Sequence, residues 1–366
     1  MTIPERPLRA TGRPALARRL AAGFLLALLA GTAQQAQAQA QAPAAPPTAT
    51  RYPLTVDSCG TPLTVAAPPR RVVSLGQGTT EILLSLGLAP QLVGTAIWVG
   101  PVLPQYAAEN ARIPRLADND PSFESVVARE PDLVAAQLEW HVGPQGRVGR
   151  PEQFAGLGIP VYVSPVDCAG KDNTGRGDGV RRQPFSMDLL FREITELAAI
   201  FDVAPRGAAL VASLRAREAA AVAAVTGLRA RDLPAVFWFS SREVKGDAFV
   251  AGTNGAAAYI MRTLGLRNVI RTEEEWPTIS WEAITAADPA LLVIGQMERR
   301  RFPADDAALK RRFLDTDPVV SQLPAVRAGH VIELGAQAMN PTLRTIDGIE
   351  AVAQGLRALG LSAPAP

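Results

Sequence analysis

The sequence is poor in the residues that most often build metal and catalytic centres. Its 366 residues include only two cysteines and two histidines. The histidines, His141 and His330, lie far apart, and neither has the spacing to a cysteine that metal ligands show. A nucleophilic triad would lack a base, since neither histidine accompanies a motif serine. The sequence therefore predicts no catalytic residue and no metal site held by the protein itself.

Long apolar runs are also missing, since no segment after residue 30 approaches the length of a membrane span. Residues 20–30 form an apolar run that is too short to span a membrane. Five arginines precede this run, and two Ala-Gln-Ala sequences, which resemble signal-peptide cleavage sites, follow it. Residues 1–40 are therefore predicted to be a signal peptide, and residues 41–50 a disordered lead-in. No cysteine follows the apolar run, so we expect a secreted protein that is not a lipoprotein.

The basic charge of the chain belongs partly to this signal. The formal net charge is +2, and removal of five arginines and one glutamate takes it to about −2, which leaves nucleic-acid binding without electrostatic support. About 320 residues remain, enough for two domains with sizeable cores.

Cys59 and Cys168 are the only cysteines. In an oxidising compartment an even pair favours a disulfide, and its loop of about 110 residues would stabilise the fold by about 4–5 kcal/mol. The alternative is two buried free thiols.

From residue 54 onward, apolar strands alternate with amphipathic helices, which predicts parallel sheets with covered faces. Thr79 and Thr80 are candidate helix caps. Residues 168–184 are rich in glycine and charge and read as a loop, and an Ala/Arg-rich helical region follows. We expect two α/β lobes, each with a mainly parallel central sheet, joined by one long rigid helix. The expected domains are an N-terminal lobe at 51–184, connecting helices at 185–230 and a C-terminal lobe at 231–366.

One pattern occurs twice and supports two similar lobes. Residues 122–134 align without a gap on residues 280–292, and each copy gives serine, an aromatic residue and glutamate before a helical stripe, a proline and an apolar strand. Residues 81–88 similarly match residues 259–266. Two copies do not make a solenoid, which needs at least three units.

Ordered motifs along the chain carry a resemblance to a known family. They include residues 70–75, 80–83, 86–88, 121–124, 131–134, 157–161, 276–282, 328–331 and 347–351. Together they resemble the periplasmic substrate-binding proteins of ABC importers for cobalamin, haem and ferric siderophores, whose two lobes are joined by a rigid helix.

The resemblance implies that one exposed glutamate from each lobe docks on the two halves of a permease. By motif position these residues are Glu124 and Glu282. Paired charges would steer the encounter and fix the register of the complex. Each glutamate also stands in the first turn of a predicted helix, where it would complement the helix dipole by about 0.3–1 kcal/mol.

Ligands of open α/β sheets bind beyond the carboxyl ends of the strands. Aromatic rings there offer flat apolar contact, and guanidinium groups can pair with ligand carboxylates or an anionic chelate. We expect His141 to act as a hydrogen-bond donor in this cleft, and the alternative is that it is an axial ligand to the metal of a bound chelate. The candidate ligand-binding residues are Gln77, Trp98, Trp140, His141, Arg242 and Arg344.

These observations predict a periplasmic binding protein, not an enzyme, that captures an iron chelate or corrinoid and delivers it to an ABC permease dimer. We expect a monomer without an intrinsic cofactor, any metal arriving with the ligand. A secreted α/β enzyme that uses the cleft, or a binding protein that serves a sensor, is the alternative. The fold is shared by corrinoid, haem and siderophore binders and does not choose among them.

Overall fold

The computed structural model describes residues 49–175, 178–226 and 232–361. The expected signal peptide and most of the lead-in lie outside these residues. The described chain begins with an antiparallel hairpin of β1 (Leu54–Ser58) and β2 (Thr61–Val65), which turns at Cys59 and Gly60. Both turn residues have positive φ, 52° and 81°.

The first lobe is built on five short parallel strands: β3 (Val72–Leu75), β4 (Leu92–Ala96), β5 (Arg115–Ala117), β6 (Leu133–Ala136) and β7 (Val161–Val163). Their order in the sheet is β5-β4-β3-β6-β7. Alternate residues of β6 enter two different cores: Leu133 and Ala135 pack on one face, Val134 and Ala136 on the other. The sheet is therefore covered on both faces, as expected of parallel strands.

Six helices connect these strands: α1 (Gln77–Ser85), α2 (Ala107–Asn110), α3 (Phe123–Val127), α4 (Glu139–Val142), α5 (Pro151–Gly156) and α6 (Pro165–Cys168). Helix α1 begins two residues before the candidate caps, so the expectation that Thr79 or Thr80 caps it is wrong. Both threonines are buried, and their hydroxyls donate instead to Glu193 (2.7 Å) and Ser74 (2.8 Å).

Cys59 and Cys168 are joined by a disulfide, with a Cα–Cα distance of 5.6 Å. The bond ties the β1–β2 hairpin to the end of α6. The segment predicted as a loop, 168–184, contains two short strands among its described residues, since β8 (Lys171–Asp172) pairs with β9 (Val180–Arg181). Val180 also forms a bridge with Glu274 of the second lobe.

Two helices connect the lobes, α7 (Met187–Ile200) and α8 (Ala204–Ala223). The 20 residues of α8 span about 30 Å. Arg206 near its start donates to the carbonyl of Leu86 in the first lobe (3.0 Å). Arg217, three turns on, pairs with Asp347 (2.7 Å) and Glu350 (2.5 Å) in the second lobe. The long helix is thereby fixed to both lobes.

The second lobe repeats the alternation around β10 (Leu233–Ser241), β11 (Ala248–Val250), β12 (Leu266–Asn268), β13 (Thr278–Ile279), β14 (Leu291–Gln296) and β15 (Val331–Gly335). Strands β12, β14 and β15 run parallel to β10, whereas β11 is antiparallel to it. The helices are α9 (Ala256–Thr263), α10 (Trp281–Ala286), α11 (Ala307–Thr316), α12 (Pro324–Arg327) and α13 (Arg344–Ala358). Two mainly parallel sheets in two lobes confirm the expected fold class.

The duplicated pattern has the same backbone geometry in both lobes. Ser122 caps α3 and Ser280 caps α10, with φ/ψ of −71°/153° and −70°/153°. Each hydroxyl accepts from the amide three residues on, at 3.1 Å and 3.3 Å. The acidic residues that precede the matching prolines, Glu130 and Asp288, have φ of 48° and 47°. The two segments therefore fold into equivalent units.

Candidate functional site

The carboxyl ends of the two sheets face one cavity of about 1340 Å³. Several of the residues that line it follow closely on the ends of strands, where an open α/β sheet leaves a crevice. From the first lobe these are Gly76, Ile97, Asp118 and Gln137, and from the second Met297 and Gln337. The cleft is thus built from both lobes.

Gln77, at the start of α1, holds one loop of the cleft in place. Its carboxamide oxygen accepts from the amides of Val99 (3.2 Å) and Gly100 (3.1 Å), and its nitrogen donates to the carbonyl of Pro101 (2.8 Å). Gln77 lines the cavity but is only 5% exposed. Its donors and acceptors are already occupied by the protein.

The neighbouring Ile97 adopts a left-handed conformation with φ of 67°, which is unusual for a β-branched residue. The chain turns there, and Trp98, which follows, is 1% exposed. The guanidinium of Arg115 covers its ring at 4.6 Å, and its indole nitrogen donates to Thr95 (3.3 Å). Trp98 borders the cavity, but its ring packs inside the lobe, contrary to the expectation that it faces the cleft.

Trp140 and His141 occupy α4, which follows β6. Trp140 lines the cavity with 41% of its surface exposed. His141 is buried, with Nε2 3.2 Å from Asp120, while Nδ1 is buried without a hydrogen-bond partner among the described residues. Burial lowers the pKa of His141, although the carboxylate of Asp120 opposes this effect. The imidazole is accordingly neutral at pH 7 and donates to Asp120.

Four aromatic side chains of the second lobe form the opposite side of the cleft, which we call the aromatic wall: Phe239, Phe249, Trp276 and Phe302. The rings of Phe239 and Trp276 lie 4.5 Å apart at 32°, and those of Phe249 and Phe302 lie 6.4 Å apart. Phe302 is 36% exposed. None of the four is among the candidate ligand-binding residues predicted above. The Trp276-Pro277 motif was the available signal.

Asp305 and Lys310 support the aromatic wall from behind. Asp305 accepts from the backbone amides of Arg301 (2.6 Å) and Phe302 (2.9 Å), and from the hydroxyl of Ser240. The ammonium of Lys310, which is fully buried, donates to the carbonyls of Phe239 (2.6 Å) and Gly295 (2.7 Å). Burial lowers the pKa of Lys310 to about 7. Lys310 thereby links the ends of the paired strands β10 and β14.

Arg344 bridges the two lobes. Its guanidinium makes two hydrogen bonds to Glu81 of α1, at 3.0 Å and 2.5 Å, and a third to the carbonyl of Pro101 (2.7 Å). Glu81 is 1% exposed. Arg344 was expected to pair with a carboxylate of the ligand, but its guanidinium already pairs with the carboxylate of Glu81.

Arg299 makes a second contact across the cleft. It donates to the carbonyls of Trp98 (2.6 Å) and Asp118 (2.9 Å) and to the side chain of Asn119 (2.8 Å). Arg242, by contrast, is exposed at the end of β10 and is not among the described residues that line the cavity.

One edge of the cleft is closed by the segment that contains β8 and β9. Lys171 pairs with Asp167 of the first lobe (2.6 Å) and Glu275 of the second (3.3 Å). Arg181, which is fully buried, lies 3.6 Å from Glu275. Across the described ranges, no group of three or more His, Cys, Asp and Glu residues could hold a metal ion.

The two glutamates of the duplicated pattern are both exposed in the first turns of equivalent helices, Glu124 in α3 and Glu282 in α10. Hydrogen bonds from its own backbone amide and from Ser280 lower the pKa of Glu282. Each lobe therefore presents one carboxylate from a matching site on its surface.

Two α/β lobes that enclose a cleft and are joined by a rigid helix define a two-lobed ligand-binding protein. The chain belongs to the periplasmic binding protein family, which it matches over residues 72–338. Among the residues that the structure describes, no helix is both long and apolar enough to cross a membrane.

Individual relatives agree with this assignment. A vitamin B12-binding protein from Vibrio parahaemolyticus is 25% identical over 294 residues, which cover 78% of this chain and 90% of that protein. A periplasmic binding protein from Veillonella parvula superposes with a TM-score of 0.69 at 21% identity, over 85% of this chain and 98% of the other. A structure from Saccharomonospora viridis, described as an ABC-type Fe³⁺-hydroxamate transport system, gives a TM-score of 0.65 at 26% identity, over 84% and 99%.

Proposed function

We propose that this protein captures a metal chelate, either a siderophore-type iron chelate or a corrinoid, in the cleft between its lobes and delivers it to an ABC permease. The family assignment supports a binding role in the periplasm. The relatives named for vitamin B12 and for Fe³⁺-hydroxamate support this ligand class. A cavity of about 1340 Å³ has room for a ligand of this size. The metal arrives with the ligand.

The observation that carries the delivery step is the equivalence of Glu124 and Glu282. Each is exposed in the first turn of a serine-capped helix, and the two caps have nearly identical backbone angles. A permease with two similar halves needs one anchor on each half, and two matched carboxylates supply these anchors. Both glutamates lie outside the cavity lining, so docking and ligand binding use separate surfaces.

Uptake of the labelled chelate by cells that carry the Glu124→Ala/Glu282→Ala variant tests this proposal. We expect uptake to fall at least tenfold, because both charged anchors are lost. Binding of the same chelate by the purified variant should stay within twofold of wild type.

Glu152→Ala is the matched control, because Glu152 is also an exposed glutamate in the first turn of a first-lobe helix but stands outside the duplicated pattern. Its uptake should equal that of wild type. Normal uptake by a folded double variant would refute the docking role. Release of a chemically altered chelate would refute the carrier role in favour of an enzyme.

A further inference from the structure

Among the described residues that line the cleft, charged side chains join the two lobes in three places. The opposing groups are Arg344 with Glu81, Lys171 with Glu275, and Arg299 and Arg301 with residues 98, 118 and 119. The three places differ in burial and in the chemistry of the partners. That difference decides where the lobes can separate most easily.

Two of the three places are buried ion pairs. The side chains of Glu81 and Arg344 are 1% and 20% exposed, and those of Glu275 and Lys171 are 6% and 8% exposed. Separation of such a pair leaves a charge without a partner where water hardly reaches it, and this cost is large. We therefore expect the lobes to stay joined at both of these edges.

The contact made by Arg299 is of a different kind, because all its acceptors are neutral. They are the carbonyl oxygens of Trp98 (2.6 Å) and Asp118 (2.9 Å) and the carboxamide oxygen of Asn119 (2.8 Å). The same Asn119 oxygen accepts from Arg301 (3.2 Å), and both of these residues are exposed. Because water can replace neutral acceptors at the surface, each of these hydrogen bonds is broken at little net cost.

The same rim carries the most exposed aromatic side chains of the described cavity lining. Phe302, next to Arg301, is 36% exposed, and Trp140 is 41% exposed. The guanidinium of Arg147 lies over the Trp140 ring at 5.9 Å and pairs with Asp120, in the first-lobe loop of the contact. The contact therefore lies at a rim that faces solvent, beside rings that a ligand would meet first.

The loops on both sides of this contact are attached to their own lobes. In the second lobe, Asp305 accepts from the backbone amides of Arg301 and Phe302. In the first lobe, Asp120 lies 3.2 Å from Nε2 of the buried His141. Each loop therefore moves with its lobe, and the contact breaks when the lobes move apart.

We infer that Arg299 is a latch of the cleft: the lobes separate at its contact with residues 98, 118 and 119, while the two buried ion pairs stay formed. A ligand then enters and leaves past Trp140 and Phe302. This inference rests on the proposed function only in taking the cleft as the ligand site. It adds the residue that controls access to that site.

Electron paramagnetic resonance of doubly spin-labelled, ligand-free protein measures the opening. The labels are placed at two exposed alanines, by Ala108→Cys in α2 of the first lobe and Ala308→Cys in α11 of the second. In Arg299→Glu the ratio of open to closed distances should rise at least about tenfold, because a carboxylate facing three oxygen atoms loses the hydrogen bonds and is repelled. Asn119→Ala, which removes only the side-chain acceptor, should give a smaller rise.

Arg312→Glu is the matched control, because it makes the same charge change at an exposed second-lobe residue outside the described cavity lining. Its distances should equal those of wild type. Unchanged distances in both Arg299→Glu and Asn119→Ala would overturn the latch. A loss of unfolding free energy in Arg299→Glu as large as in Arg344→Ala would also overturn it, because Arg299 would then be a structural tie.

Cobinamide and ferrioxamine, each mixed rapidly with wild type and with Asn119→Ala, extend the test to ligand passage. An opened latch should speed both association and dissociation of the probe that binds, each at least about threefold. Faster dissociation alone would identify a lost ligand contact and would overturn the control of access. Failure of both probes to bind wild type would count against the proposed ligand class, while the distances would still decide the latch.

Discussion

Glu81 and Arg344, 263 positions apart in the chain, form a two-pronged ion pair that joins the first lobe to the second. The carboxylate is 1% exposed and the guanidinium side chain 20%. The pair lies at the edge of the cleft, where Gln77 and the amide of Leu103 also contact Glu81. The ion pair therefore links the second lobe to the part of the first lobe that contains Gln77 and Leu103.

Loss of this pair should loosen the lobes. Arg344→Ala leaves Glu81 buried without its charge partner, and we expect the free energy of unfolding to fall by about 2 kcal/mol. The radius of gyration from small-angle scattering of ligand-free protein should rise. Arg312→Ala, at an exposed arginine of α11, is the control. An unchanged radius and an unchanged melting temperature would show that the pair does not hold the lobes.

Glu193 should make stability depend on pH. It is 2% exposed, and burial raises its pKa to about 7, although Ser164 (2.6 Å) and Thr79 (2.7 Å) donate to it. In the unfolded chain the pKa is 4.5. The unfolded state therefore releases the proton first, and stability falls as pH rises from 4.5 to 7, by up to about 3 kcal/mol from this residue.

Urea titrations at pH 5 and pH 7.5 measure this effect. The Glu193→Gln variant should lose the part of the decline that Glu193 causes, whereas the exposed Glu152→Gln should keep the wild-type profile. Parallel profiles for wild type and Glu193→Gln would contradict the assignment.

The disulfide should contribute through the long loop that it closes. Cys59 and Cys168 are 109 positions apart, and reduction should lower the free energy of unfolding by about 4–5 kcal/mol. Urea titrations with and without reductant check this. The Cys59→Ser/Cys168→Ser variant should resemble the reduced protein and should not respond to reductant. A response of that variant would place the effect elsewhere.

The two matched caps should have matched energies. Ser122→Ala and Ser280→Ala each remove one side-chain acceptor at a helix start, so each should lower the free energy of unfolding by about 1 kcal/mol. Ser186→Ala is the control, because Ser186 precedes α7 without a side-chain cap bond. A loss at Ser186 as large as at the other two would contradict the capping role.

Local sequence signals predicted most of the secondary structure. Helices α7 and α8 lie within the helical region predicted at 185–230, and strands alternate with helices in both lobes. The 168–184 segment was the exception, since it contains two short paired strands, and Val180 in the second of them forms a bridge with Glu274 of the other lobe. A contact between segments so distant in the chain has no counterpart in the local hydrophobic period of the sequence, so it could not be predicted.

The site was harder to predict, because neighbours in the cleft are not neighbours in the chain. Trp98 follows a strand, as a cleft residue would, yet the left-handed turn at Ile97 sends its ring into the lobe. Arg344 was recognised as a cleft residue, but its partner, Glu81, is supplied by the other lobe. The aromatic wall combines four residues from separate segments.

Local sequence signals were enough to predict the two-lobed α/β plan and the helices of the duplicated pattern, and they favoured the disulfide that the structure contains. These features depend on hydrophobic period, local capping and residue counts, which are properties of short segments. The three-dimensional structure was needed to establish which cleft charges are already paired, which rings face the cavity and how the lobes are held together. Burial and hydrogen-bond partners arise from packing between segments that are distant in the chain, so local sequence patterns do not contain them.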